Sequence, residues 1–480
     1  MSDVTTAVSP ALTTTETPAT AKQRLFPLHL SPIEIYMLAD DHPGHPMSFV
    51  VQVQLSGQIE REAFESVLDE ALDRHPLLRA HIASGKGDAP CWKLASESRR
   101  DVDWGSDEEP MTCPDGESIE LTKETGLRVW VRQGVNDARV LLQFHHACCD
   151  GTGAYRFLGD LLAAYGIRTT TTGKAPSLGV VDASQLRTRK HRGLGMAAQG
   201  VPGMRRRAFK ELGKLFWKLP APISPSTQAT GNGERAEDFP GFLCRSFDRV
   251  EHQQLRDAAQ RCNVTFNDLL LRDLFLTLES WNRQYGSKRR WPWSWFKRRW
   301  LRILMPTDLR GGEDYEMPAT NLSGCTFLTR SVQACASPEA LLTGIRDETA
   351  QIKQKRSGAA FMDMVYVASK VRWVLPFALS RNVCLSTAVL SNPADPSRRF
   401  TAQLPRQSGK IVCGNLVLEE ITGVPPLRPK MRAAFSVSQY DRRLTISLRC
   451  DPHTFRLKDT AALLDQYMEQ LRKSAGIGLS

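Results

Sequence analysis

The chain has 480 residues and a mass of 53.7 kDa, which corresponds to two or three domains or to one large duplicated domain. Hydrophobic residues make up 41% and charged residues 24% of the chain, and this ordinary globular composition excludes a largely disordered protein. The formal net charge is +11 at pH 7, so the partner classes to weigh are nucleic acid, an anionic membrane and an acidic protein.

The N-terminal segment and the cysteines indicate where the protein works. Residues 1–24 are rich in Thr, Ala and Pro and lack the basic and apolar regions of a signal peptide, so we predict a disordered leader. No apolar stretch approaches the roughly 18 residues that span a bilayer. The eleven cysteines contain no CxxC pair, so we predict reduced thiols, a cytoplasmic location and no metal site.

Two regions of mixed strand and helix patterns flank a basic linker. The predicted N-terminal half, residues 25–175, has strands over 48–56, 129–131 and 140–144 and helices over 64–72 and 153–165. Residues 176–237, rich in Gly, Pro, Ser and basic residues, form the predicted linker. The predicted C-terminal half, residues 238–480, has strands over 242–247, 301–305, 322–328, 383–390, 411–418, 432–438 and 443–449 and helices over 250–262, 266–281 and 457–473.

The segment FHHACCDGTG, residues 144–153, is the most informative part of the chain. His145 and His146 stand where a predicted strand ends, and side chains at such positions can project into a cleft. Strand alternation places the two rings on opposite faces, so only one can face a given cleft. Asp150 can fold back to fix a ring or a loop, and Gly151 permits close approach of a ligand. A neutral imidazole can accept a proton from a hydroxyl or an amine; the alternative is a purely structural histidine pair.

This segment resembles the HHxxxDG signature of the condensation-domain and CoA-dependent acyltransferase superfamily, nearest to wax ester synthase/diacylglycerol acyltransferases and alcohol acetyltransferases. Other motifs of the superfamily have counterparts in the same order, and the resemblance covers about residues 25 to 475. Glu34 departs from the Gln of the opening motif, and neither the PLW nor the DFGWG motif is found. The counterparts are LSP at 30–32, RHPLLR at 74–79, FNDLL at 266–270, PTDLR at 306–310 followed by Asn321, and VLSN at 389–392.

The resemblance implies an α/β fold of two chloramphenicol-acetyltransferase-like halves that form a V-shaped pseudo-dimer around a central tunnel. It implies that His146 is the general base of a catalytic set that also contains His145 and Asp150. Within this set Asp150 would be mainly structural and paired with Arg310. The resemblance also implies five residues that support the site or bind substrate: Gly151, Arg310, Asn321, Asn267 and Asp268. For Asn267 and Asp268 the alternative is a cap at the start of a helix.

The implied function is transfer of an acyl group from a thioester, acyl-CoA, to a hydroxyl acceptor, with no bound cofactor. The alternatives are a stand-alone condensation domain that joins amine or hydroxyl acceptors to carrier-bound acyl groups, and a non-catalytic homologue that binds a carrier protein or lipid. The partners are then an acyl-CoA or acyl-carrier thioester, an alcohol or amine acceptor, and an acyl carrier protein. Direct transfer needs a base and an oxyanion donor but no enzyme nucleophile, so packing is the favoured role for Cys148 and Cys149.

The positive charge is concentrated in two segments. Residues 187–218 carry ten basic residues and one acidic residue, and residues 283–302 carry eight basic residues and no acidic one. Five of the ten tryptophans lie between 281 and 300. Interleaved Trp and Arg predict a peripheral contact with an anionic membrane through 283–302, on its inner face; core tryptophans beside a solvated loop are the alternative. No nucleic-acid-binding motif accompanies the charge, so nucleic acid is not a predicted partner.

Overall fold

The computed structural model describes residues 25–85, 89–95, 101–194, 200–203, 206, 213, 217–226, 239–286, 300–355, 358–370, 375, 379 and 383–478. The predicted leader, residues 1–24, lies outside this part of the chain, as do residues 287–299 of the Trp-rich segment. No helix of the described part is long and apolar enough to cross a membrane.

The described residues form a mixed α/β structure. Its helices are α1 (Pro32–Asp40), α2 (Arg61–Arg74), α3 (Gly151–Thr169), α4 (Arg249–Arg261), α5 (Phe266–Tyr285), α6 (Pro338–Gln354), α7 (Gly358–Ser369) and α8 (Leu457–Ala475). Its strands are β1 (Leu28–His29), β2 (Ser48–Ser56), β3 (Ala80–Ser84), β4 (Pro90–Leu94), β5 (Val102–Ser106), β6 (Leu127–Gln133), β7 (Asp137–His145), β8 (Leu243–Phe247), β9 (Trp300–Asp308), β10 (Ser323–Ser331), β11 (Ala388–Ala394), β12 (Arg406–Gln407), β13 (Lys410–Cys413), β14 (Leu416–Val424), β15 (Ala433–Tyr440) and β16 (Arg443–Cys450).

The first large sheet carries the histidine motif. Its seven strands follow the order β12-β13-β14-β2-β7-β6-β5. The alternating apolar side chains of β2 point to one face, where they join the core beneath α2 and α3, because successive residues of a strand face opposite sides. Val50 points the other way and packs in a smaller cluster with Trp130 and Phe239. Within the sheet, β2 pairs antiparallel with β7, and Phe49 lies opposite Phe144.

The second large sheet supports the other half. Its six strands follow the order β10-β9-β11-β15-β16-β8, and its apolar face forms one core with α5 and α8. Phe435 on β15 meets Tyr467 on α8 edge-to-face, with ring centroids 5.4 Å apart. The Tyr467 hydroxyl donates to the Leu270 carbonyl on α5, which fixes the two helices against each other.

The two halves are interleaved in space. Strand β14, from the C-terminal half of the sequence, pairs antiparallel with β2 and so extends the N-terminal sheet. Helix α7 packs its Phe361 edge-to-face on Tyr36 of α1, with centroids 5.6 Å apart, and belongs to the core of the first half. Two separate segments of the second half therefore complete the first.

The observed elements confirm the predicted α/β class and most predicted strands and helices. The prediction of one strand over 411–418 is wrong, because the chain turns at Gly414, whose φ is +65°, and forms the β13–β14 hairpin. Helix α7 was not predicted. This helix has no continuous polar face, because it is packed between α1 and β10, so its sequence lacks the amphipathic pattern of a surface helix.

Two arginines are buried, Arg189 from the predicted basic linker and Arg302 from the segment for which a membrane contact was predicted. The Arg189 guanidinium forms a buried ion pair with Glu34, with Nε 2.8 Å from Oε1. The Arg302 guanidinium donates to the carbonyl oxygens of Leu385 and Lys218, and burial lowers its pKa to about 10. These two charges hold chain segments together and cannot reach a membrane.

Candidate active site

The two adjacent histidines of the motif lie at the end of β7 and have different surroundings. His145 is fully buried; its Nδ1 accepts from the amide of Ala147 at 3.0 Å, and its Nε2 is 3.5 Å from Asp41 Oδ2. His146 is half-buried, and its ring lies 5.0 Å from the ring of Phe49. The amide of His146 donates to the Met47 carbonyl at 2.7 Å. As the strand alternation predicts, the two histidines differ, and only His146 is partly exposed.

Asn321 connects the second half to His146. Its amide nitrogen Nδ2 donates to the His146 carbonyl at 2.7 Å and lies 3.0 Å from His146 Nδ1. Its Oδ1 accepts from the amide and the hydroxyl of Ser323 at 3.0 and 2.7 Å. These four contacts fix the orientation of the Asn321 amide, because an exchange of its oxygen and nitrogen would place donors against donors. Asn321 therefore positions the His146 backbone and ring.

The environment of His146 favours a neutral imidazole. Burial lowers its pKa below the ordinary value of 6.5, while the charge of Asp150 and hydrogen bonds to the backbone oxygens of His146 and Cys149 act in the opposite direction. A neutral imidazole keeps a lone pair on one ring nitrogen and so has the chemistry of a general base.

Asp150 links the two halves beside the motif. It is the N-cap of α3, and its Oδ1 accepts from the Gly153 amide at 2.8 Å. Arg310 makes a two-pronged ion pair with it, with Nη1 2.8 Å from Oδ2 and Nη2 2.9 Å from Oδ1. The Leu322 amide donates to Oδ2 at 2.8 Å. A carboxylate so fully hydrogen-bonded and buried positions its neighbours and has no remaining capacity to act as a base.

A short segment of the second half, residues 319–322, is held by the first half at consecutive positions. The Ala319 amide donates to His75 Nδ1 at 2.8 Å, and the other ring nitrogen of His75 lies 3.2 Å from Asp160 Oδ2. Residues 320–322 then contact the motif through Asp150 and His146. The RHPLLR segment signalled His75 in the sequence, but Asp160 on α3 carried no such signal. These contacts give Asn321 its place.

The two glycines after Asp150 have different steric surroundings. A Cβ on Gly151 would meet only a ring carbon of Tyr155 at 3.9 Å, whereas a Cβ on Gly153 would lie 3.0 Å from the Thr320 carbonyl oxygen and from Cys149 Cβ. Contacts of 3.0 Å require the backbone of the second half to move. The close approach of the two halves therefore depends on Gly153, while Gly151 leaves open space beside the motif.

We expect Gly153→Ala to lower the free energy of unfolding by about 1–3 kcal/mol, since it overpacks the contact with Thr320. Gly151→Ala, two residues away on the same helix, should change it by less than about 0.5 kcal/mol. Denaturant unfolding of the two variants and the wild type measures both values. Equal stability of the two variants would contradict this assignment of the close contact.

Several other predicted residues have structural surroundings. Cys148 and Cys149 are fully buried, and burial raises the pKa of Cys149 well above its ordinary value, which favours packing over thiolate chemistry. Asp268 forms a capping box with Thr265 at the start of α5, as the alternative interpretation of this residue had it. Asn267 accepts a hydrogen bond from Asn392 Nδ2 at 3.0 Å. The contacts described for Asn267 and Asp268 do not include His146.

An arginine-lined groove of about 1180 Å³ lies at the start of α5. Its charged lining comes from distant parts of the sequence, so no charge run signalled it. None of its lining residues belongs to the His146 network. The charged residues are Arg249, Arg256, Arg346, Arg398, Arg406, Arg442, Asp257, Asp395 and Asp441.

Sequence comparison finds distant relatives. No protein-family model matches the chain. Two curated proteins of Mycobacterium tuberculosis, both named uncharacterized and coming from strains CDC 1551 and H37Rv, are 26% identical to it over 271 residues. The match covers 54% of this chain and 58% of each relative, so it spans little more than half the length of these proteins.

Solved structures match nearly the whole chain. The first condensation domain of the calcium-dependent antibiotic synthetase, in complex with a substrate analogue, has a TM-score of 0.63 at 14% identity, over 94% of this chain and 96% of its own. The starter condensation domain of rhizomide synthetase, in complex with C8-CoA and Leu-SNAC, has a TM-score of 0.60 at 13% identity, over 96% and 97%. Polyketide synthase associated protein 5 from Mycobacterium tuberculosis has a TM-score of 0.59 at 15% identity, over 94% and 99%.

The chain therefore has the condensation-domain fold, in which two chloramphenicol-acetyltransferase-like halves are joined. This finding confirms the resemblance predicted from the HHxxxDG motif at the level of the fold. Within that fold, the residues predicted from the motif converge from both halves on one place, with His146 and Asp150 from the first half and Arg310 and Asn321 from the second.

Proposed function

We propose that the protein is an acyltransferase that moves an acyl group from acyl-CoA to a hydroxyl acceptor, with His146 as the general base. The observation that carries this proposal is the placement of a half-buried imidazole, with lowered pKa, between the two halves of a condensation-domain fold. The His146 imidazole takes the proton of the acceptor hydroxyl as the hydroxyl oxygen attacks the thioester carbonyl. The carbon–sulfur bond then breaks, and the proton passes from His146 to the departing thiolate.

An acyl-CoA donor has two further supports. The matching starter condensation domain of rhizomide synthetase is in complex with C8-CoA. The arginine-lined groove at the start of α5 offers positive charge, and CoA carries phosphate groups that such charge attracts. A cytoplasmic location, with or without a membrane contact through 283–302, stays a prediction.

A stand-alone condensation domain is the second candidate. The matching structures include condensation domains of two synthetases, and such a protein would act on an acyl group borne by a carrier protein. The same base would then serve an amine or a hydroxyl acceptor, since a neutral imidazole accepts a proton from either.

Thiol release by the purified full chain separates the two candidates. A panel of acyl-CoA donors of different chain length is mixed with alcohol and amine acceptors, and the same acyl groups are offered in parallel on an acyl carrier protein. Acceptor-dependent release of free CoA, absent in His146→Gln, supports the proposal. Consumption of the carrier-bound donor alone favours the second candidate, and consumption of neither donor contradicts both.

The pH dependence of kcat/KM should report His146. Because burial lowers the pKa of this imidazole, and because only the neutral ring can act as a base, activity should be lost as the pH falls, with a midpoint below 6.5. The melting temperature, measured over the same pH range, separates this loss from acid unfolding. A midpoint above 6.5 with the protein folded would contradict the proposed environment of the base.

A further inference from the structure

We propose that His45, Asp451 and His453 form a binding site for one divalent transition-metal ion of the zinc type, which clamps the two halves together. His45 lies between α1 and β2 of the first half, whereas Asp451 and His453 follow β16 in the second half. Each residue offers one ligand atom, and these three atoms lie within 4.8 Å of one another. No local spacing in the sequence signals this cluster, because His453 is 409 residues from Gly44, the residue before His45.

The distance between His45 and Asp451 fits a shared ion better than a hydrogen bond. His45 Nε2 is 3.6 Å from Asp451 Oδ1, and this buried nitrogen makes no hydrogen bond. Two ligand atoms on one tetrahedral ion, with bonds of about 2.1 Å, are separated by about 3.4 Å. An ion between Nε2 and Oδ1 would bind both atoms with little movement of either side chain.

The surroundings of His453 and Asp451 suit ligands of a metal. His453 Nε2 lies 3.0 Å from the Gly44 carbonyl oxygen, and a ring that donates one N–H to a carbonyl holds its other nitrogen unprotonated for an ion. The Asp451 carboxylate is oriented by the His453 amide at 3.0 Å and the Thr454 hydroxyl at 3.1 Å. Since His453 is exposed, water can complete the coordination. Two imidazoles and one carboxylate are a ligand set for zinc and its neighbours.

An ion at this corner would act on the candidate active site through the chain segment 41–47. Asp41 Oδ1 accepts from the Met47 amide at 2.7 Å, and the Met47 carbonyl accepts from the amide of His146. The other oxygen of Asp41 faces His145 at 3.5 Å. Fixing His45 to the second half therefore fixes the loop that supports both motif histidines. The ion takes no part in the transfer itself, and the inference does not depend on the proposed function.

Zinc titration of the tag-free full chain tests the site. After treatment with EDTA, the protein is titrated with Zn²⁺ by calorimetry, and Co²⁺ is used as a spectroscopic substitute. We expect one ion per chain, a rise in melting temperature on binding, and an affinity at least about 100-fold lower in His453→Ala, since even the loss of an outer partner costs 10- to 100-fold.

Two further variants make the result decisive. His29→Ala removes an exposed histidine on β1, outside the cluster, and should bind as the wild type does. Asp451→Asn should weaken binding as His453→Ala does. Absence of stoichiometric binding by the wild type, or equal affinity in the wild type and His453→Ala, would overturn the proposal. Because His453 is exposed, we expect its replacement to leave the fold intact, so that the loss of binding does not depend on a folding defect.

Discussion

Replacing His146 by glutamine should reduce kcat/KM for acyl transfer by about 10²- to 10⁴-fold, the contribution of a positioned general base. Glutamine can keep a polar contact with Asn321 but cannot accept and return a proton near neutral pH. Because His146 is only half-buried, the melting temperature should fall less than for a fully buried histidine. Acyl-CoA consumption and thermal unfolding, measured on one preparation, test the expected loss of activity and the expected stability.

His145→Gln is the matched control for His146→Gln, since the two histidines are adjacent in sequence but His145 is fully buried and His146 is partly exposed. His145 is fully buried and accepts the Ala147 amide through Nδ1, so its replacement should lower stability more than His146→Gln does. Activity per folded molecule should fall less. If His145→Gln abolished transfer in a stable protein while His146→Gln retained it, the assignment of the base would be wrong.

Replacing Arg310 by alanine should lower the free energy of unfolding by about 3–5 kcal/mol, because it leaves the buried carboxylate of Asp150 without its ion partner. Burial alone would lower the pKa of the Arg310 guanidinium, but the charges and hydrogen bonds of Asp150 and Asp308 outweigh burial and raise this pKa. Arg310→Lys should recover only part of the loss, since an ammonium group cannot make both hydrogen bonds to the carboxylate. Denaturant unfolding provides the measurement.

A double variant separates the cost of an unpaired charge from the worth of the pair. Asp150→Asn combined with Arg310→Met removes both charges. The loss in free energy of unfolding of this double variant should be smaller than the sum of the losses of the two single variants. Its activity should nevertheless remain low, because the link between α3 and the segment 319–322 is lost. A stability of Arg310→Ala within about 0.5 kcal/mol of the wild type would show that the ion pair does not hold the halves together.

Motif spacing in the sequence predicts the main residues of the candidate site. His146, Asp150, Arg310 and Asn321 belong to segments whose order resembles that of the superfamily, and the structure brings all four together. The sequence patterns also predict β2 and α5, because their apolar periodicity reflects a single buried face.

Features that depend on distant contacts could not be predicted from local patterns. Arg189 resembles any solvated residue of a basic segment until Glu34, 155 residues away, is placed beside it. The hairpin at Gly414 was missed because apolar residues lie on both sides of it, although the buried positions change from 411 and 413 to 416 and 418 across the turn. The histidine and aspartate cluster at residues 45, 451 and 453 arises only when the two halves pack.

The release of CoA on rapid mixing with acyl-CoA, with and without an alcohol acceptor, tests direct transfer by His146 most directly. We expect release to require the acceptor, to show no initial burst and to disappear in His146→Gln, because the base acts on the acceptor and the enzyme forms no covalent intermediate. A stoichiometric burst of CoA without acceptor, or acceptor-dependent release that survives in His146→Gln, would contradict it.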